Sequence, residues 1–179
     1  KFASAMRKED LSIFLNCDTL EFDLVPAKLD GIKVIISNTN SPHKLDAGQY
    51  NQRVAECKEA VKEISKVKPI NSLGELRLDD FKKLEDSIED PIAKKRARHV
   101  VSEIQRTIDA VSALKANEIE TFGKMMNASH VSLRDDYEVT GDQLDAMAEE
   151  AWKLDGVIGS RMTGAGFGGC TVSLVKEEA

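Results

Sequence analysis

The 179-residue sequence has only three cysteines (Cys17, Cys57, Cys170) and three histidines (His43, His99, His130), and none of them cluster. No CxxC pair occurs, so neither a disulfide frame nor a structural zinc site is expected; an odd, scattered set of this kind reads as buried thiols in a reducing cytoplasm. No apolar run approaches the roughly 20 residues of a membrane helix. The opening stretch, Lys1 to Asp10, carries charge where a signal peptide needs an apolar segment. There is no excess of positive charge: 25 Lys and Arg against 31 Asp and Glu give a formal net charge of -6. Such a chain has no general attraction for nucleic acid or an anionic membrane, and any phosphate site has to be local. Repeats and low-complexity tracts are absent as well. What is present is a composition that is 41% hydrophobic and 31% charged, enough for a core beneath a charged surface, at a length that fits one domain or a domain with part of another.

The pattern along the chain is mixed. Ser12 to Asn16 and Glu21 to Val25 alternate and suggest a hairpin. Ile32 to Ser37, β-branched and almost wholly apolar, suits a buried central strand. Asp46 with Gln49 can cap a helix whose apolar face runs through Tyr50, Val54, Cys57, Val61 and Ile64. Residues 66–79 hold Pro69, Asn71, Ser72 and Gly74 and read as a connecting loop. A short helix follows around Phe81, Leu84 and Ile88. Asp90-Pro91 places proline at the first position of a long helix lined by Ala97, Val100, Val101, Ile104, Ile108, Val111 and Leu114. Asn117 with Glu120 begins another helix, Thr140 with Gln143 a last one, and Gly156 ends it. The chain closes on a glycine loop and a strand from Cys170 to Val175, with Lys176 to Ala179 as the first turn of a further helix. Strands and helices without regular βαβ alternation give an α+β layer packing.

Gly164-Ala165-Gly166-Phe167-Gly168-Gly169 holds four of the 11 glycines. Glycines adopt positive φ without steric penalty and let backbone N–H groups converge on an anion. The segment satisfies G-x-G-x-x-G, but it feeds a β-branched strand where a dinucleotide site would open a helix. A protein-kinase loop fails too, because Thr171 stands where its valine would be and no catalytic-loop motif follows. Spacing alone leaves two readings, a tight turn into a strand or a support for phosphate.

The wider segment, Gly159-Ser160-Arg161-Met162-Thr163 through Gly169-Cys170-Thr171-Val172, resembles the third signature motif of galactokinases, a branch of the GHMP small-molecule kinases. Ser41-Pro42-His43-Lys44-Leu45 to Gln49-Tyr50-Asn51-Gln52-Arg53, followed by Glu56-Cys57, is similar to the pattern around that branch's sugar-contacting tyrosine. Ser129-His130-Val131-Ser132-Leu133-Arg134-Asp135-Asp136-Tyr137-Glu138-Val139 resembles another of its stretches, and Phe2-Ala3 resembles the residues after its Met-Asp-Gln. Lys1 departs from the usual glutamine.

The resemblance implies a ferredoxin-like antiparallel sheet with helices packed on it, over residues 31–179, preceded by a terminal segment of the kinase N-terminal domain over residues 1–30. It implies a parent enzyme that moves the γ-phosphoryl of ATP, with magnesium, to the anomeric hydroxyl of galactose in the cytoplasm. Tyr50 is then a sugar contact, where periodicity alone makes it a core residue. Thr163, Gly164, Gly166, Gly168 and Gly169 then border the phosphates. The family's catalytic aspartate and ATP loop have no counterpart in these residues. No catalytic residue and no metal ligand are therefore assigned, the chain by itself is expected to hold neither ATP nor magnesium, and it is expected to be inactive alone. A sugar- and ATP-binding regulatory sensor and an N-acetylgalactosamine kinase are the alternatives. Arg161 reads as an ion-pairing residue or as extra positive charge near the phosphates, His130 as a structural hydrogen-bonding residue, and the run Lys94-Lys95-Arg96-Ala97-Arg98 as a solvated helix face.

Overall fold

The computed structural model describes residues 8–41 and 47–178. Strands β1 (Leu11–Leu15) and β2 (Phe22–Pro26) pair antiparallel, with Leu11 opposite Pro26 and Leu15 opposite Phe22. The Asn16 side chain accepts the N–H of Asp18 at 2.9 Å and so closes the turn between them. Val25 is 1% exposed and lies in one cluster with Leu114, Ile119, Met126 and Leu174, so the hairpin shares its core with the helices. Cys17 sits exposed in the hairpin turn, contrary to the buried thiol expected; Cys57 and Cys170 are partly buried and also free.

A second sheet has the order β3-β5-β4, from β3 (Ile32–Asn38), β4 (Val157–Thr163) and β5 (Cys170–Lys176), antiparallel throughout. Here the expectation of a buried central strand at Ile32 to Ser37 is overturned. Among the described residues β3 pairs only with β5, and Val34, Ile35 and Ile36 are 50%, 43% and 69% exposed. An apolar run identifies a strand, but helices above β4 and β5 decide which strand is covered. β4 itself escapes the sequence patterns, since Gly159 and Ser160 are poor strand formers. Lys176, expected to open a helix, ends β5 instead.

The helices are α1 (Ala47–Ser65), α2 (Leu78–Leu84), α3 (Pro91–Lys115), α4 (Ile119–Ser132) and α5 (Asp142–Trp152), with a π-helical turn, Leu133–Tyr137, prolonging α4. The Asp90 side chain accepts the N–H groups of Ile92 (2.8 Å) and Ala93 (3.4 Å), and Pro91 stands at the first helical position, as the sequence implies. The cap of α4 is Glu118 rather than Asn117, and Gly141 at φ 88 precedes α5 rather than Thr140. Asp46, the expected cap of α1, lies outside the described residues, as do Phe2-Ala3 and Pro42 to Leu45.

Among the described residues three apolar clusters carry the packing. Ala60, Ile64, Leu76, Phe81, Ile88, Ala97 and Val101 join α1, α2 and α3. The second lies between the hairpin, α3, α4 and β5. The third, Leu133, Val139, Leu144 and Met162 with Tyr137 and Phe167 against it, lies under the glycine loop. The architecture is α+β, and no helix among the described residues is long and apolar enough to cross a membrane.

Helix α4 meets β4 backbone to backbone. A Cβ on Gly123 would stand 2.3 Å from the Ile158 carbonyl oxygen, and one on Gly159 would stand 2.4 Å from the Gly123 carbonyl oxygen. No side chain fits at either place, and the approach lets the Asn127 side chain accept the Ser160 N–H at 2.8 Å. Overpacking of this kind costs about 1–3 kcal/mol or more. Gly123→Ala is therefore expected to lower the melting temperature by several degrees, read by calorimetry; an unchanged melting temperature would mean that the two backbones separate without cost.

His99 on α3 is 6% exposed, stacks on Tyr137 with ring centroids 4.4 Å apart, and lies 3.0 Å by Nδ1 from Ser132 Oγ. Ser132 in turn donates to Asp136 Oδ2 (3.2 Å), so the imidazole Nδ1–H donates to the hydroxyl. Burial holds the ring neutral and pushes its pKa from 6.5 down to about 4, with Glu103 and Asp136 pulling upward and Arg106 and Arg161 downward. The unfolded chain takes up a proton near pH 6.5, and the folded chain not until about pH 4. Stability is thus fully present above pH 6.5 and is lost as pH falls towards 4, by up to about 3 kcal/mol at this site. The urea midpoint should fall between pH 7 and 4.5, and His99→Asn, which keeps a donor near Nδ1 but cannot titrate, should flatten that slope. Equal slopes in the two proteins would show that other groups control it.

Candidate functional site

The glycine loop is the connection of a β-hairpin, since Thr163 pairs with Cys170 across β4 and β5. Gly164, Gly166, Phe167, Gly168 and Gly169 all have positive φ, from 57° at Phe167 to 116° at Gly168. That explains the glycine density: a chain of ordinary residues would pay about 1–2 kcal/mol at each such position. Thr163, Gly164 and Ala165 form an exposed rim, whereas Gly166, Gly168 and Gly169 are buried. A Cβ on Gly164 would meet nothing within 4 Å, so the backbone there is open to approach.

The buried half of the turn is tied down on two sides. The Phe167 N–H donates to the Val139 carbonyl at 2.7 Å, and a Cβ on Gly166 would stand 2.1 Å from that same oxygen. On the other side Thr39, just past β3, donates its N–H (2.9 Å) and its hydroxyl (2.8 Å) to the Gly169 carbonyl.

Val139 follows the π turn at the end of α4, and that turn is gripped by two buried arginines. Arg53 of α1 donates Nε to Tyr137 O and Nη2 to Glu138 O, both at 2.7 Å. Arg96 of α3, 2% exposed, donates to Asp136 O at 2.6 Å, to Glu138 Oε2 at 2.7 Å and to Glu56 Oε2 at 2.7 Å. Glu56 also faces Arg53 at 3.2 Å, which closes the network. Burial works against the charge of Arg96, but its hydrogen bonds to the Glu56 and Glu138 carboxylates outweigh it and raise its pKa; the Arg96 contact holds Glu138 below the usual carboxylate range. The expectation of a solvated face for Lys94 to Arg98 therefore fails at Arg96. One residue of a basic run turned inward, because the carbonyls at a helix C-terminus attract cations.

These contacts bring the separate sequence motifs together. Tyr50, one turn ahead of Arg53 on α1, is 62% exposed, so it is not the core residue that periodicity alone would make it; the buried face of α1 starts at Arg53. Tyr137 is half-buried and stacks on His99, and its pKa is pushed up to about 12, by burial first and then by Cys57, with Tyr50 near enough to add to the shift.

His130 is fully buried. Its Nδ1 accepts the Met162 N–H at 3.0 Å, so Nε2 carries the proton and donates to Asp145 Oδ1 at 3.1 Å. Desolvation lowers its pKa despite Asp145. The ring stands edge-on to Trp152, whose Nε1–H donates to the Ser160 carbonyl at 2.9 Å. His130 thus joins α4 and α5 to β4 immediately before the turn, the structural role expected of it. Arg134 pairs with Asp135 (2.7 Å) and Glu149 (2.5 Å). Arg161 lies 3.7 Å from Glu103 Oε1, a carboxylate that also binds Arg106 and Ser129; burial lowers the Arg161 pKa. Among the described residues no group of three His, Cys, Asp or Glu is placed to hold a metal ion. Arg53, Arg96 and Thr39 are the residues that sequence reasoning passed over. A pairing between two quoted motifs, Arg53 with Tyr137-Glu138, carried no signal in either one.

Comparison with known proteins agrees with this arrangement. Residues 110–179 match the family described as GHMP kinases C terminal. The chain is 53% identical over 178 residues to a galactokinase of Clostridium beijerinckii and 54% identical over 178 residues to one of Clostridium acetobutylicum, covering 99% of this chain and 46% of each relative. It also superposes on the crystal structure of Lactococcus lactis galactokinase complexed with galactose, with a TM-score of 0.90 at 47% identity, over 94% of this chain and 44% of that one. The chain therefore spans about half the length of the relatives it matches. With the β4–β5 hairpin and its glycine turn inside the segment that matches the GHMP kinases C terminal family, this chain is similar along 99% of its length to galactokinases.

Proposed function

We propose that this chain is the C-terminal part of a galactokinase, a cytoplasmic enzyme that transfers the γ-phosphoryl group of ATP to the anomeric hydroxyl of galactose with magnesium. The observation that carries this reading is the likeness, along 99% of the chain, to proteins that are themselves galactokinases. The same likeness favours the enzyme over a regulatory sensor or an N-acetylgalactosamine kinase. In this reading residues 1–30 are the terminal segment of the N-terminal kinase domain and residues 31–179 form the ferredoxin-like C-terminal domain. No catalytic group is assigned within the chain.

Phosphoryl transfer needs positioning and charge stabilisation more than covalent chemistry. ATP supplies the group transferred, and magnesium neutralises charge on it. The turn is suited to border those phosphates: its rim, Thr163, Gly164 and Ala165, is exposed, Gly164 has open space before it, and its backbone is fixed by Val139 and Thr39. Fixed N–H dipoles need no reorganisation as charge develops. Tyr50, exposed in the first turns of α1, is free to lay its ring and hydroxyl against a sugar.

Two substitutions in the full-length protein test these roles. Tyr50→Ala should raise the galactose KM, at a cost of about 1–3 kcal/mol in kcat/KM, with the ATP KM much closer to normal. A folded variant with an unchanged galactose KM would remove Tyr50 from the sugar site. For the turn, the close approach of Gly166 to Val139 makes any substitution there a packing defect, so Gly164 is the cleaner probe. Gly164→Ala has room but strains φ 86 by about 1 kcal/mol, a few degrees in melting temperature. It should lower kcat by about tenfold, because displaced dipoles lose their aim. Normal kcat beside the small stability loss would leave the turn a purely structural connection.

A further inference from the structure

Helix α4 and its π turn end against α1 and α3, with Asp136 and Tyr137 half-buried and Val139 buried, and a carbonyl left unpaired where water is excluded would cost about 1–3 kcal/mol. The successive carbonyls are all taken. Lys95 Nζ reaches Asp135 O (3.4 Å), Arg96 reaches Asp136 O (2.6 Å), and Arg53 reaches Tyr137 O and Glu138 O (2.7 Å each). The next carbonyl, that of Val139, receives the Phe167 N–H of the glycine turn at 2.7 Å. Glu138 is left-handed at φ 55, ψ 53, a conformation that turns the chain so that Val139 faces the loop. An ordinary residue holds it only where its surroundings over-determine it. Here they do: its carbonyl is bound by Arg53 and its carboxylate by Arg96 and Lys95.

From this we propose that Arg53 and Arg96 are positioning residues for the glycine-rich turn, acting through the backbone from Asp136 to Val139. Arg53 is the more specific of the two. One planar guanidinium spans two successive carbonyls, a task for which a lysine ammonium, a point donor, has the wrong shape. Arg53 also stands one turn from Tyr50 on α1, so the clamp ties the helix that bears Tyr50 to the turn assigned to the phosphates. Among the described residues neither arginine hydrogen-bonds to the turn itself; the connection runs through the Val139 carbonyl. The kinetic consequence rests on the galactokinase reading above, but the mechanical one does not.

The experiment uses the full-length protein and reads hydrogen exchange beside kinetics. In wild type under low denaturant, the amides of Val139 (bonded to Leu133 O) and Phe167 should open together, as one unit. Arg53→Lys and Arg53→Met should each speed exchange of the Phe167 amide by at least about tenfold, while amides of α3 such as Val101 keep their rates. In the same variants kcat should fall by about tenfold with the galactose KM within about twofold, a loss of alignment rather than of sugar binding. Unchanged Phe167 exchange in a folded variant overturns the proposal, and so does an acceleration shared equally by α3, which marks a general loss of stability. Where neither variant folds, the wild-type measurement decides, and separate opening of Val139 and Phe167 counts against the clamp. A wild-type protein that does not phosphorylate galactose removes the functional reading, while the exchange results still judge the clamp.

Discussion

A helix that ends against other elements of the fold carries its own problem, because its last carbonyls have no intrahelical partner. In this chain the solution is ionic. Arg53 and Arg96, both nearly buried, reach the carbonyls that close α4 and its π turn, and Glu56 and Glu138 balance their charge. A buried charge is costly unless it is paired and fully hydrogen-bonded. Among the described residues no buried side-chain nitrogen or oxygen lacks a partner, so the network meets that condition. It ties α1, α3 and α4 together at one pair of guanidinium groups, beside the apolar clusters that pack α1 on α3 and α3 on α4.

The same geometry dictates where glycine is needed. Gly123 and Gly159 let α4 touch β4 without intervening side chains, and Gly166 lets the loop reach the Val139 carbonyl. Around these backbone contacts the polar groups of β4 find partners on both neighbouring helices: Ser160 on Asn127, Met162 on His130 and Ser160 on Trp152. β4 is thus less a strand of apolar residues than a strip of backbone held by specific hydrogen bonds, with the apolar cluster of Leu133, Val139, Leu144 and Met162 beneath the turn.

Much of this was legible in the residues themselves. The β1–β2 hairpin, the Asp90-Pro91 start of α3 and the α+β class follow from alternation, capping and the mixed pattern, all of which are local properties. So does the need for several glycines between 164 and 169, because positive φ is costly to any residue with a Cβ, a cost that Phe167 bears here. The family likeness was legible too, since long motifs survive in order along the chain. β4 was hidden because its strand character comes from pairing with β5 and from α4 above it, not from β-branched residues.

What only the tertiary structure decided is which groups meet. Apolar β3 reads as a central strand, yet burial depends on neighbours that the residue pattern does not encode, and Ile36 stands 69% exposed. A basic run reads as solvated, yet Arg96 points inward because the carbonyl end of α4 lies opposite it. Tyr50 reads as the head of an apolar stripe, yet the stripe begins one turn later, at an arginine whose partners lie 84 and 85 residues away. The sequence by itself determined most of the elements, the glycine turn and the family likeness. The placement of charge inside the fold was left to long-range packing, because a buried ion is tolerated only where distant backbone supplies its partners.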